Sequence, residues 1–393
     1  MNKQITSILL VAGTCIGAGM IALPMSLAKL GILPSIIIMI ATWFFTYYSS
    51  LVSVELNLHS ECGLTIGLLG KKYSGKTAHF IGEISVKLLS YALLAAYIYG
   101  CSSIIQQLIS IEISSIYIQT TLSILIIIAL LFKTHIVAKI NNIAFTGFAL
   151  LFIFLIVKVV KYVDYSNIQW TIDPNFSNIS SVATIVFTSF GYQVIFHTLR
   201  NYCGKNIKML KRAFLYGSII PMFIYILWTC GVLSIIYNGN PDFFQLMISG
   251  KTEVGELISE LAKIFKFSKL QIMIWWISIF TILTSIVGVG VALSESYYLQ
   301  LKNKLRYPKL ISAMITIIPP FLFASIAPNA FIKALSIAGT LLVIIAILLP
   351  IYLFFRAKID KPYISILNKW ILLFCVMLGF TIISFEIYTA VTQ

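Results

Sequence analysis

Residues 13–19 read GTCIGAG, in the middle of the first apolar run, MNKQITSILLVAGTCIGAGMIALPM (1–25). A glycine inside a helix costs about 1 kcal/mol relative to alanine, so three of them in seven positions work against a plain spanning helix. Glycine also accepts positive φ and lets a ligand or a second backbone come close. Unwound backbone at membrane depth is tolerated only where its freed groups face protein or a wet cavity. The stretch therefore predicts a membrane helix interrupted near its middle. The amide end of one half-helix would suit a carboxylate, and the carbonyl end of the other an ammonium group or a cation. A second reading, close helix packing through the Gly13–Gly17 spacing, fits the same residues.

The rest of the chain places this segment in a bilayer. Of 393 residues, 59% are hydrophobic and 10% charged, against about 25% charged in a soluble domain, and the mean hydropathy is +0.97. Uncharged runs such as 213–241 exceed the roughly 20 residues that cross a hydrocarbon core as a helix. The expectation is an all-α polytopic membrane protein, one transmembrane domain over 1–393, with eleven spans at about 5–28, 32–55, 82–109, 117–132, 143–163, 180–199, 212–237, 270–299, 309–327, 330–355 and 368–391. The connection 238–269, with Glu253, Glu256, Glu260, Lys263 and Lys266, is expected to hold a short surface helix. One early lysine and no small-residue cleavage site mark the first segment as a retained span rather than a signal peptide. The cysteines at 15, 62, 101, 203, 230 and 375 show no paired spacing and read as small buried residues.

The net charge of +15 is spread through short loops, with no basic domain, which argues against nucleic acid. Arg200, Lys205, Lys208, Lys211 and Arg212 crowd one connection, and Lys302, Lys304, Arg306 and Lys309 another. Both lie inside if the N-terminus is cytoplasmic, which the positive-inside rule favours; eleven spans then leave the C-terminus outside.

TSFGYQ (188–193) interrupts the sixth run in turn, with Gly191 among polar Thr188, Ser189 and Gln193. Five spans separate the two starts, so these helices enter the membrane from opposite sides. That is the pattern of a five-plus-five inverted repeat, about 5–163 and about 180–355, with an extra helix at about 368–391. Matching interruptions in inverted halves are the best sequence pointer to a transporter binding site. A zwitterionic amino acid satisfies both kinds of helix end.

GTCIGAGMIALP (13–24) resembles the first-helix signature of the bacterial aromatic amino acid permeases (hydroxy/aromatic amino acid permeases). The likeness continues through YYSSLVSVELNLH (47–59), SYALLAAYIYG (90–100), TSFGYQ, GKNIKMLKRAF (204–214), GSIIPMFIYILW (217–228), TSIVGVGVALSE (284–295) and PPFLFASIAPNAFIKALSIAG (319–339). The resemblance implies a LeuT-like fold of the APC superfamily. It implies proton symport that imports tyrosine or another aromatic amino acid across a bacterial inner membrane, by alternating access around helices 1 and 6. Serine and threonine permeases share the first-helix pattern, so small polar amino acids are the alternative substrates, and sodium the alternative ion. The chain departs from the family at Gln193, where histidine is usual, at Val194, where glycine is, and at His197, where proline is. These changes imply a stiffer sixth helix and one proton carrier fewer.

The candidate substrate cradle is Thr14, Cys15, Ile16, Gly17, Ala18 and Gly19, acting mainly through backbone. Ser189, Phe190, Gly191, Tyr192 and Gln193 form the facing wall, and Tyr91, Tyr97, Ser336 and Gly339 are further lining candidates. Ionisable residues in spans are expensive and default to functional hypotheses; Glu295, His197 and Glu83 are the proton-coupling candidates. Glu295 could instead pair with Lys302 or Arg306, Glu55 and Glu83 with Lys71, Lys72 or Lys87, and Glu386 reads as interfacial. Thr284 and Ser285 are the sodium candidates, against ordinary hydrogen bonding back into their own helix.

GKKYSGKT (70–77) matches the Walker A pattern, a loop that works between a strand and a helix of an α/β domain. A connection between two spans has no room for a sheet, so no nucleotide partner is expected. The spans hold no His, Asp, Glu and Cys constellation that suggests an enzyme, and few polar side chains that could line a channel. No cofactor or metal is expected. The partners are the amino acid, the proton and the lipid bilayer.

Overall fold

The computed structural model describes residues 3–61, 63–109, 114–132, 147, 150–159, 169–173, 176–265, 268–327, 330–359, 362–364 and 367–392. Eight helices among them are long and apolar enough to cross a membrane, and a bent pair at the N-terminus makes a ninth span. That pair is α1 (Lys3–Cys15) and α2 (Gly19–Leu27), which meet at 49°. Next come α3 (Ile32–Leu58), the short α4 (Ile66–Ser74), α5 (Lys76–Ile109), and two shorter apolar helices, α6 (Ser115–Leu130) and α7 (Leu150–Val159). The second interrupted run is α8 (Phe176–Ser189), a 3-10 turn over Gly191–Ile195, and α9 (Phe196–Cys203). Then follow α10 (Ile207–Gly239), α11 (Pro241–Ile248), α12 (Val254–Ile264), α13 (Ser268–Leu301) and α14 (Pro308–Ile326). The tenth run is α15 (Ala330–Val343), a π turn over Ile344–Leu348, and α16 (Leu349–Arg356); α17 (Lys369–Thr392) ends the fold.

Nine of the expected spans thus carry a long apolar helix or an interrupted one. The fourth carries the 16-residue α6, and the fifth carries the short α7, with the rest of that span outside the described residues. The third span starts at Lys76 rather than about 82. Gly75, at φ 93°, closes α4 by donating its N–H to the Gly70 carbonyl, and α5 begins at once. The Walker-like stretch is therefore a helix–glycine–helix corner.

The connection 238–269 holds two helices instead of one, and α12 is not a surface helix. Val254, Leu257, Ile258 and Leu261 are buried, the i, i+3, i+4, i+7 stripe of a helix laid on a core. Both starts are capped: the Asn240 side chain accepts from the Phe243 N–H, and Glu253 and Glu256 form a capping box.

At the centre stands α5, which packs on α4, α12, α13, α14 and α15, while α10 closes on α1 and α17 rests against α8 and α15. Close approach decides the α1–α10 seam: a Cβ on Gly217 would lie 2.5 Å from the Val11 Cβ and 2.8 Å from the Ile8 carbonyl oxygen. Small residues at such crossings let helices pack where lipid provides no hydrophobic drive. Ile124, Leu125, Phe223, Trp276 and Phe380 stay exposed, as expected of a lipid-facing belt.

Candidate substrate site between two interrupted helices

At the first interruption the Ile16 N–H still reaches the Ala12 carbonyl, and the Met20 N–H turns back to the Gly17 carbonyl. The amides of Gly17, Ala18 and Gly19 lie between these two ladders, at the start of α2. At the second, Phe190 leaves helical geometry (φ −102°, ψ 32°) and its N–H turns back to the Phe187 carbonyl.

The two interruptions touch. A Cβ on Gly19 would lie 2.6 Å from the Ser189 Oγ and 2.7 Å from the Ser189 Cβ. The Cys15 thiol lies against the Tyr192 backbone amide. On the α13 side, a Cβ on Gly17 would come 2.9 Å from the Ser285 Oγ, and the Ser285 hydroxyl lies near that of Tyr97 of α5. The structure thus brings together Cys15, Gly17, Gly19, Ser189, Tyr192, Tyr97 and Ser285, from four runs of the chain, with Ile16 and Ala18 between them. Phe190 is fully buried, edge-on to the Tyr225 ring at 5.6 Å. Gly191 faces Leu342 of α15.

Tyr225, absent from the sequence-derived set, joins the two interruptions. Its hydroxyl lies 2.5 Å from the Cys15 carbonyl oxygen and 3.2 Å from that of Ser189. Three residues on, the Trp228 Nε1–H donates to the Met20 carbonyl at 2.8 Å. Gly217, Tyr225 and Trp228 stand at i, i+8 and i+11, one face of α10. The glycine brings that face close, and the two polar tips then reach carbonyls freed from the helix ladder. The signal was present in GSIIPMFIYILW as a glycine, a tyrosine and a tryptophan on one stripe.

Other candidates sit elsewhere or bond back into their own helix. Thr14 is exposed, and its hydroxyl donates to the Val11 carbonyl of its own helix at 2.7 Å. Tyr91 bonds the Tyr297 hydroxyl at 2.8 Å and the Ile315 carbonyl at 3.0 Å, in the α5–α13–α14 seam. Gly339 is a crossing point, since its Cβ would stand 2.1 Å from the Thr184 carbonyl oxygen. Ser336 bonds Thr184 at 2.7 Å and Glu386 at 2.5 Å. Thr284 and Ser285 both donate back into α13, at 2.9 Å to Phe280 and 2.9 Å to Thr281.

Glu83 presses on α4, where a Cβ on Gly67 would meet its Oε1 at 2.7 Å. Glu295 is half-buried on α13. Gln193 and His197 line a cavity of about 70 Å³ with Thr65, Val86 and Ile345. Gln193 is 2% exposed, and neither polar atom of its amide has a hydrogen-bond partner. Glu55 takes none of the expected lysines. It is fully buried and accepts the Tyr363 N–H at 2.8 Å, the Ile364 N–H at 2.9 Å and the His59 Nε2–H at 2.9 Å.

Comparison with known proteins gives a family and named relatives. The Tryptophan/tyrosine permease family matches residues 1–386. The chain is 30% identical to tyrosine-specific transport system 1 of Haemophilus influenzae, over 91% of this chain and 89% of that protein. It is 28% identical to glutamine transporter 2 of Aliivibrio fischeri, over 89% and 88% of the two chains. A tryptophan-specific transport protein of Pseudomonas aeruginosa shares 24%, over 87% and 83%.

Proposed function

Because the chain belongs to the tryptophan/tyrosine permease family, we propose that it is a secondary transporter of the bacterial inner membrane that imports tyrosine or another aromatic amino acid by proton symport. The observation that carries this reading is the contact between the two interruptions, Gly19 against Ser189, with the Tyr225 hydroxyl on one freed carbonyl from each. Access alternates around these two helices. The substrate carboxylate lies on the amides of Gly17, Ala18 and Gly19. Its ammonium takes the carbonyls of Cys15 and Ser189 when the Tyr225 hydroxyl withdraws. Tyr97, Phe190 and Tyr192 shape the space for the ring. In this reading the fold is LeuT-like, a five-plus-five inverted repeat with an eleventh helix, the N-terminus cytoplasmic and the C-terminus periplasmic.

The family and the relatives named for tyrosine and tryptophan support an aromatic substrate. Glutamine is the second candidate, favoured by the relative named for it and by the unpaired Gln193 amide, whose donor and acceptor together match a carboxamide. Uptake of radiolabelled tyrosine into proteoliposomes, under imposed pH and sodium gradients, tests transport and driving ion together. Competition by tryptophan, phenylalanine, glutamine and serine tests the substrate. Competition by serine with none from aromatics would overturn the aromatic reading, and uptake driven by sodium alone the proton reading.

A further inference from the structure

Glu386 reads from sequence as an interfacial residue on a helix outside the ten-helix core, and the structure gives it other company. Its Oε2 lies 2.5 Å from the Ser336 Oγ of α15 and 3.3 Å from the Thr184 Oγ1 of α8, and these two hydroxyls are 2.7 Å apart. Thr184 is fully buried and Ser336 is 8% exposed, while Glu386 is half-buried. The acid on α17 thus reaches across to both inner helices. Thr184 precedes Ser189 by five residues, about 7.5 Å along the helix. The cluster therefore lies between the outer ends of α8 and α15 and the interruption that bonds Tyr225.

The three oxygens make three mutual contacts in hydrogen-bonding range. A carboxylate contributes no hydrogen and each hydroxyl contributes one, so two hydrogens serve three contacts and one contact is left as oxygen against oxygen. One proton on Glu386 supplies the missing hydrogen and closes the ring. The ring is tied to the interrupted helix twice more. The Thr188 hydroxyl donates to the Leu335 carbonyl at 2.9 Å, and Gly339 sets α15 directly on the Thr184 carbonyl.

We propose that Glu386 takes up the coupled proton from the outer side, and that its charge state sets the α8–α15 seam; this rests on the proton-symport reading above. A proton from external water binds a carboxylate oxygen to give the neutral carboxyl, whose O–H completes the ring with Thr184 and Ser336. When the proton leaves to water, the carboxylate returns and the ring opens at one contact. Among the described residues, the elements packed most closely against α17 are α3, α8, α15 and the π turn. They carry one cation, Lys333, which is exposed on α15, and one other acid, Glu55, which is engaged with His59 and the Tyr363 and Ile364 amides.

The test uses the full-length protein in proteoliposomes, comparing tyrosine accumulation driven by an inward proton gradient with tyrosine counterflow, which needs no net proton movement. In Glu386→Gln, accumulation falls at least tenfold while counterflow stays within about threefold of wild type; Glu386→Asp restores part of the accumulation and Lys333→Met leaves it intact. Infrared difference spectra after a pH jump give a readout independent of substrate: a protonated-carboxyl carbonyl band present in wild type and missing in Glu386→Gln. If the wild type accumulates tyrosine on a proton gradient and Glu386→Gln does so equally, the assignment to Glu386 fails alone. If the wild type ignores the proton gradient, the symport reading fails and takes this one with it. Loss of accumulation and counterflow together, unrelieved by Glu386→Asp, makes Glu386 a structural residue and overturns the proposal, as does an unchanged infrared band.

Discussion

The phenolic oxygen of Tyr225 stands 2.5 Å from the carbonyl oxygen of Cys15, the last residue of α1. That carbonyl is freed from the helix ladder by the interruption that follows it, and at membrane depth no bulk water replaces the lost partner. The same hydroxyl lies 3.2 Å from the Ser189 carbonyl, so one side chain from α10 serves the broken ends of two different spans. The interruption is thus stable because of a residue two hundred positions away, and it stays adaptable because a hydroxyl on a ring is more easily displaced than a backbone partner.

Tyr225→Phe keeps the ring against Phe190 and removes only the hydroxyl. Two buried carbonyls then lose their donor, a cost of about 1–3 kcal/mol. The expected outcome is a protein that inserts and purifies but is less heat-stable in detergent, with initial uptake reduced about tenfold. Unchanged uptake and unchanged melting would show that the hydroxyl braces nothing.

GTCIGAG and TSFGYQ were legible because glycine and polar residues inside an apolar run are a local signal. The bridge between them was not legible. Tyrosine in an apolar helix looks like packing, and its partners are backbone carbonyls, which no side chain advertises. Thr14 misled for the converse reason: it belongs to the motif, but the rotation of α1 turns it outward and its hydroxyl is satisfied within the helix. Glu55 misled because a carboxylate was matched to charges nearby in sequence, and Glu386 because it was read as interfacial. The structure supplies backbone amides at 363–364 to one and two hydroxyls to the other.

Gly19→Ala sets a methyl group 2.6 Å from the Ser189 Oγ and 2.7 Å from its Cβ. The helices must part or α2 must shift, and overpacking of this kind costs about 1–3 kcal/mol. Uptake is expected to fall below a tenth of wild type. Ser189→Gly removes both offending atoms, so the double variant Gly19→Ala/Ser189→Gly recovers more stability and uptake than additivity allows. Strict additivity in a double-mutant cycle on melting temperature and initial rate would contradict the contact.

Glu55→Gln replaces an acceptor-only carboxylate that holds two backbone N–H groups and His59. The amide offers one acceptor oxygen and turns its NH₂ toward a donor, so at least one buried N–H loses its partner, at about 1–3 kcal/mol. The effect falls on the connection ahead of α17. Limited proteolysis around Tyr363 is expected to quicken several-fold while α1 and α2 exchange amide hydrogens as before. Equal protease sensitivity in the two proteins would remove Glu55 as the clasp of this connection.

Glu253 fastens α12 to α5. Its Oε1 accepts the Tyr99 hydroxyl at 2.9 Å, its Oε2 the Ser103 hydroxyl at 3.2 Å, and Ser103 in turn accepts the Gly255 N–H at 3.0 Å. Glu253→Ala deprives both hydroxyls of their acceptor and dissolves the capping box at the head of α12. Amide exchange over Val254–Ile264 is expected to accelerate by an order of magnitude or more, since a cap alone contributes about 1 kcal/mol and a hydrogen bond to a charged group about 1.5–3 kcal/mol. Tyr99→Phe reproduces part of this change. The double variant falls short of the sum by about 0.5–3 kcal/mol, because both changes delete the same bond. A cycle that closes at zero would mean that the Tyr99–Glu253 pair contributes nothing to holding α12 on α5.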